Sequence, residues 1–201
     1  PEAVAKTEAK QAIGDALKAK KAEMDARTAL TAEEKAEAKA DATATADAAK
    51  AAIDNATKNA EVDQSQSTGT REVTSVNPEA LTKSAAKQSI DEALKAKTAD
   101  IDARTDLTDE EKTAVKADAK AKADAAKTAI DNATTNAGVD QAKVNGTTEV
   151  NNVNPTPVAK PAAKKAIDDA LKAKNDAIDA NNNLTDEEKT AAKADAKAKA
   201  D

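Results

Sequence analysis

Large apolar side chains are sparse along this chain, and they stand in rows that recur at one interval. Ile13, Ile90 and Ile167 are 77 residues apart, as are Leu17, Leu94 and Leu171. Met24, Ile101 and Ile178 share that offset, and so do Leu30, Leu107 and Leu184. Polar segments obey it too: Asn77-Pro78 returns as Asn154-Pro155, and Thr108–Asp124 differs from Thr185–Asp201 only at Val115, which becomes Ala192. A fixed period of this kind marks an array of supersecondary units. The period predicts units at 1–77, 78–154 and 155–201, the last holding a first helix and part of a second. Position 201 falls in the middle of a helical pattern, so a piece of a longer array is expected.

Within the second unit, Ala86, Ile90, Leu94, Lys97 and Ile101 follow one another at helical spacings and trace one face of a helix from about Ala80 to Arg104. Asn77-Pro78 is suited to open it, because Asn caps well and Pro is tolerated at the first helical position. In the third unit Pro157 and Pro161 move the expected start towards residue 161. Lys97 lies on the apolar stripe and recurs as Lys20 and Lys174, which reads as an aliphatic stem packed on the stripe with its ammonium in water.

A break around Thr105–Leu107 (Asn181–Leu184 in the third unit) precedes Thr108-Asp109-Glu110-Glu111. Thr108 and Glu111 have the spacing of a capping box, and an acidic first turn suits the positive end of a helix dipole. Thr31/Glu34 and Thr185/Glu188 repeat the pair. Val115, Ala119, Ala123, Ala126, Ile130, Ala133 and Ala137 then form a stripe that predicts a second helix to about Asn136. The run ADAKAKADA also alternates with a period of two, but Ala, Lys and Asp are poor strand formers, so helix is expected. A stripe made mostly of Ala lets a neighbouring backbone come close.

Asn136-Ala137-Gly138 is expected to end this helix, with Gly138 in a left-handed terminal conformation. A third helix is predicted from Val139, Gly146, Val150 and Val153, matched by Val62, Gly69, Val73 and Val76. Gly146 reads either as a close contact with the Ala stripe or as a break after Asn145. Three amphipathic helices with short turns imply an antiparallel three-helix bundle per unit. The expected fold class is therefore all-α: a tandem array of such bundles forming an elongated rod.

Composition narrows the function more than it suggests one. Ala supplies 54 residues, while Ile, Leu, Val and Met together supply 25 of the 201. Each unit thus has a thin core and relies on residues with high helix propensity. With 37 acidic and 31 basic residues interleaved and no aromatic residue, there is neither a basic face nor a stacking platform for nucleic acid. No apolar run approaches the roughly 20 residues that span a bilayer, and Ala and Asp provide little energy for surface insertion. The absence of Cys excludes a disulfide framework without fixing the compartment.

His and Cys are both missing, so the common general bases, thiolate nucleophiles and zinc ligands are unavailable. The few serines, Ser65, Ser67, Ser75, Ser84 and Ser89, have no equivalent serine in the other units. Asp102, Asp106, Asp109, Glu110 and Glu111 are crowded in sequence, but they lack calcium-loop spacing and the central Gly. Asn183 and Ala29 replace Asp106 in the other units. These acidic residues read as caps and turns. No catalytic, cofactor-binding or metal-binding residue is assigned, no cofactor is implied, and no enzyme activity is expected. Asn55-Ala56-Thr57 and Asn132-Ala133-Thr134 match the short glycosylation pattern at the expected ends of helices.

The residues resemble a known repeat. KPAAKKAIDDALKAKNDAIDANNNLTDEEKTAAKADAKAKAD and AAKTAIDNATTNAGVDQAKVNGTTEVNNVNP are similar to the domain of unknown function 1542. The likeness covers the whole chain, and LTDEEK, IDNAT and NG carry its specificity. Unit one departs most, with Ser65-Gln66-Ser67-Thr68 where unit two has Ala142-Lys143-Val144-Asn145. The family occurs in tandem in large wall-anchored surface proteins of Gram-positive bacteria such as staphylococci, streptococci and lactobacilli. The resemblance implies an extracellular parent attached to the cell wall, with the repeats as a helical stalk in adhesion, aggregation or biofilm formation. It supplies no catalytic or ligand residue.

The expected function is accordingly a monomeric structural spacer. Its partners would be neighbouring repeats, with host or bacterial surface proteins engaged through other domains. Two other readings compete with it. A host-protein-binding three-helix module would need an exposed hot spot of Trp, Tyr or Arg, and this chain offers only Arg27, Arg71 and Arg104. A disordered, stress-protective Ala/Lys/Asp protein would show no cooperative melting.

Overall fold

The computed structural model describes residues 3–201, and among them every regular element is a helix. In chain order these are α1 (Ala3–Ala26), α2 (Ala32–Asn55), α3 (Asn59–Ser75), α4 (Leu81–Asp102), α5 (Asp109–Asn132), α6 (Asn136–Asn151), α7 (Ala159–Asp179) and α8 (Asp186–Ala200). They fall into two compact units. The first holds the residues through Lys95 together with Lys120–Asn152, and the second holds Ala96–Ala119 and Val153–Asp201.

In the first unit α1, α2 and α3 each pack on the other two. Contacts at opposite ends show that α1 and α2 are antiparallel: Lys39 pairs with Asp25, and Lys10 Nζ lies 2.6 Å from Asp54 Oδ1. Ala9, Ile13, Ala46, Ala49, Ile53, Val62 and Val73 fill the space between the three helices. Met24, Ala38 and Ala42 continue the core towards the α1–α2 corner. Residues one period later build a second core, in which Ala86 and Ile90 of α4, Ala123, Ala126 and Ile130 of α5, and Val139 and Val150 of α6 come together. Lys87 pairs with Asp131 and Lys127 with Asp91, so this pair of helices is also antiparallel there.

Gly69 and Gly146 show why a small residue is needed on the third helix. A Cβ built on Gly69 would lie 2.3 Å from Ala49 Cβ and 2.9 Å from Ile13 Cδ1. At Gly146 the corresponding distances are 2.3 Å to Ala126 Cβ and 3.0 Å to Ile90 Cδ1. Neither glycine has a positive φ, so close approach, and not backbone freedom, is what the position requires. Of the two readings left open for Gly146, contact with the Ala stripe is the one the structure shows. α3 also forms without interruption through Ser65–Thr68.

In the second unit α7 packs on α8, and Ile101, Leu107, Ala119 and Val153 are buried. Ile178 is also buried, whereas Ile167 is 47% exposed.

Four sequence expectations need correction. Asn77 and Pro78 do not open α4, which starts at Leu81; they lie in the connection, where Asn77 Oδ1 accepts a hydrogen bond of 2.9 Å from Arg27 Nη1. α5 stops at Asn132, before Asn136. Asn136-Ala137-Gly138 does not terminate α5 but begins α6, with Thr135 as the cap and its hydroxyl oxygen accepting from Gly138 N at 3.1 Å. The physical reason is local: Thr135 supplies an acceptor for an orphan N–H, and this favours starting a helix there over a left-handed glycine. The Ala stripe consequently ends at Ala133, and Ala137 is exposed. In the third unit α7 begins at Ala159, two residues before Pro161, which sits within its first turn.

Candidate functional site at the repeat junctions

The α1–α2 corner is built by a capping box. Thr31 has extended backbone (φ −75°, ψ 168°). Its amide donates to Glu34 Oε2 at 2.9 Å, and its hydroxyl accepts from Glu34 N at 3.3 Å. That arrangement satisfies two orphan donors of α2 reciprocally and engages only one carboxylate oxygen. The other, Oε1, accepts from Thr82 N at 2.9 Å, in the first turn of α4. One side chain therefore caps two helices.

The residue after Thr82 completes the arrangement. Lys83 is 4% exposed, and its Nζ donates to Thr28 O at 3.0 Å and to Asp131 O at 2.7 Å. Thr28 follows the end of α1, and Asp131 is in the last turn of α5. Helix N-termini favour negative charge and C-termini favour positive charge. Glu34 thus lies at two helix starts, and Lys83 at two helix ends. The buried ammonium has the carbonyl partners that burial of a charge demands. Ala32 N donates to Thr134 O at 2.7 Å and Asn136 N to Glu33 Oε2 at 3.0 Å, which ties the α5–α6 turn to the same corner.

The second unit contains the same chemistry one period later. Thr108 N donates to Glu111 Oε2 at 2.9 Å, and Glu111 N to Thr108 Oγ1 at 3.2 Å. Glu111 Oε1 accepts from Val158 N at 2.8 Å and Ala159 N at 2.9 Å, at the start of α7. Lys160 Nζ donates to Thr105 O, and Thr105 is the counterpart of Thr28. Thr185 and Glu188 form the third capping box, with bonds of 2.8 and 3.3 Å.

At Glu34 and Glu111 these bonds lower the carboxylate pKa. For Glu34, burial pushes the pKa up, but the donors of Thr82 and Thr31 outweigh it and leave it below the usual value. For Glu111 the amide of Thr108 has the largest effect, followed by those of Ala159 and Val158. Asp106 is held down at about 2 by its hydrogen bond from the Arg104 guanidinium.

The acidic residues near this corner are dispersed into separate partnerships. Asp102 pairs with Lys116 at 2.7 Å, Asp106 with Arg104 at 2.6 Å, and Glu111 with backbone amides. Among the described residues no group of three or more His, Cys, Asp or Glu is placed to hold a metal ion. Asn55 and Asn132, the first residues of the two glycosylation patterns, end α2 and α5. Of the lysines on the first-helix stripe, Lys20 is buried and donates to Glu23 at 3.1 Å, Lys97 is half-buried and Lys174 is exposed. Sequence reasoning recognised the Thr/Glu caps but missed the second task of the glutamate and the whole role of Lys83 and Lys160. The signal was present, since Lys6, Lys83 and Lys160 recur with the 77-residue period.

Comparison with known proteins agrees with the periodicity. The family model "Domain of Unknown Function (DUF1542)" matches residues 5–81, 82–158 and 159–201. The chain is 34% identical over 191 residues to "Extracellular matrix-binding protein EbhA" of Staphylococcus aureus strain Newman, covering 94% of this chain and 6% of that protein. The same identity and span relate it to "Extracellular matrix-binding protein ebh" of Staphylococcus aureus strain NCTC 8325 / PS 47, of which it covers 2%. The chain thus spans only a small part of the length of these relatives. No solved structure matches it. Neither the family description nor these names specifies a reaction, and no described helix is long and apolar enough to cross a membrane.

Proposed function

The chain belongs to the DUF1542 family through three tandem matches, and from that premise we propose that it is a non-catalytic stalk segment of a bacterial surface adhesin. In this reading, antiparallel three-helix bundles at 1–77 and 78–154, followed by the first helix and part of the second of a further unit at 155–201, form an elongated, monomeric rod. The rod holds a distal binding region away from the cell wall and supports adhesion or biofilm formation. The observation that carries the reading is the recurrence, at both junctions, of a Thr-Glu corner joined to the first turn of the following helix. Linear arrays gain stability through such neighbour contacts. Small-angle X-ray scattering tests it: a maximum dimension well beyond that of one globular domain is expected, and a compact particle would refute the rod.

A second reading follows from the relatives' names, which describe extracellular matrix binding. The segment itself would then bind a host protein. Retention of one matrix protein at submicromolar concentration by the immobilised chain would favour this module over the spacer.

A further inference from the structure

We propose that each α-helical corner of the Thr-x-x-Glu type is a docking surface for the first turn of another repeat of the same kind, read by one carboxylate oxygen and one lysine. This goes beyond the stalk reading, because it specifies which segment can follow which corner whether or not the array is extended.

The acceptor has two parts, the free oxygen of the third-residue glutamate and the backbone carbonyl three residues before the capping threonine. At the first junction these are Glu34 Oε1 and Thr28 O; at the second they are Glu111 Oε1 and Thr105 O. The donor is a helix start whose amide precedes a lysine, Thr82-Lys83 or Ala159-Lys160. First-turn amides have no intrahelical partner, so the incoming helix supplies donors that its own backbone cannot use. A carboxylate receiving N–H groups at a helix start gains both charge-assisted bonds and the helix dipole. The ammonium does the same for the carbonyls at the opposite ends.

The conjunction is specific. A helix start without the lysine leaves Thr28 O or Thr105 O without this donor, and a corner with Gln in place of Glu offers one acceptor instead of two. Lys6, Lys83 and Lys160 occupy the same register. Lys6 Nζ donates to Asp54 O at 2.8 Å, the equivalent of the Asp131 bond made by Lys83. It is thus preset in the geometry of a donor. The corner at Asn182–Glu188 has the same reciprocal cap, so it is an acceptor of the same type.

The experiment separates docking from ordinary capping. Glu34→Gln and Glu111→Gln keep an oxygen for the capping box, which Gln supports as well as Glu. They replace the second oxygen with an NH2 group that cannot accept from the next helix. Amide hydrogen exchange on the full chain should show protection of Thr82 falling about tenfold in Glu34→Gln, the loss expected for a charge-assisted bond. Val158 and Ala159 should show the same loss in Glu111→Gln, while Thr31 and Thr108 keep their protection. Glu188→Gln serves as the control and should leave all three junction amides unchanged. Unaltered exchange at Thr82, Val158 and Ala159 would overturn the proposal. So would equal loss at Thr31 and Thr108, which would mean that the glutamates act only as caps. Either failure would leave the scattering result on rod shape to stand or fall by itself.

Discussion

The backbone of Gly146 lies against Ala126 so closely that a Cβ on Gly146 would stand 2.3 Å from the Ala126 Cβ. Three glycines in helices therefore predict two opposite outcomes. Gly69→Ala and Gly146→Ala gain helix propensity, about 1 kcal/mol, but force helices apart at a cost of about 1–3 kcal/mol. Gly14 has nothing within 4 Å of its added Cβ, so Gly14→Ala should retain the gain. Urea unfolding midpoints are expected to fall for Gly69→Ala and Gly146→Ala and to rise for Gly14→Ala.

Lys83 and Lys87 lie one turn apart and should respond differently. Lys83→Met preserves the stem but removes the donor to Thr28 O and Asp131 O, and loss of a buried charged partner costs about 1–3 kcal/mol. Lys87 pairs with Asp131 at an exposed position, where such pairs are worth about 0–1 kcal/mol. Chemical denaturation of Lys83→Met and Lys87→Met should show a clear loss for the first and little change for the second.

Acid should loosen the junctions. Glu34 and Glu111 have pKa values below the ordinary 4.5 in the folded chain. The unfolded chain then binds protons more readily, so their contribution is fully present above about pH 4.5 and is lost as pH falls through the folded values. The urea midpoint, followed from pH 7 to pH 3, should drop less steeply in the Glu34→Gln/Glu111→Gln double variant than in the parent. Equal slopes would remove these carboxylates from the explanation.

Ile90 and Ile167 occupy equivalent positions, yet Ile90 is fully buried and Ile167 is 47% exposed. Ile90→Ala should cost about 2–5 kcal/mol, the range for a buried isoleucine. Ile167→Ala should cost less than half as much. Thermal melting followed by far-ultraviolet circular dichroism compares the two directly.

Helical periodicity revealed that the helices exist but not where each one ends. Ile, Leu and Val mark much of the buried face and Ala fills the gaps, while Val76 and Val153 at the tail of the third stripe lie just beyond α3 and α6. The capping boxes were equally legible, since both partners lie within four residues of each other. Gly138 misled because glycine more often follows a helix than enters one, and the hydroxyl of Thr135 decided the matter. The junction contacts were harder to see for a different reason. Glu34 and Thr82 are 48 residues apart, and no local spacing connects them. Asn77-Pro78 drew attention to the connection as a cap, while the cap itself came from the preceding corner.

The two halves of each junction come from sequence positions that are fixed relative to the 77-residue period. Copying or deleting one whole period therefore recreates a complete junction, with every donor facing its acceptor. An insertion of any other length between corner and helix start would set glutamate against an unrelated amide. The number of repeats can then change by whole periods without new junction contacts having to arise.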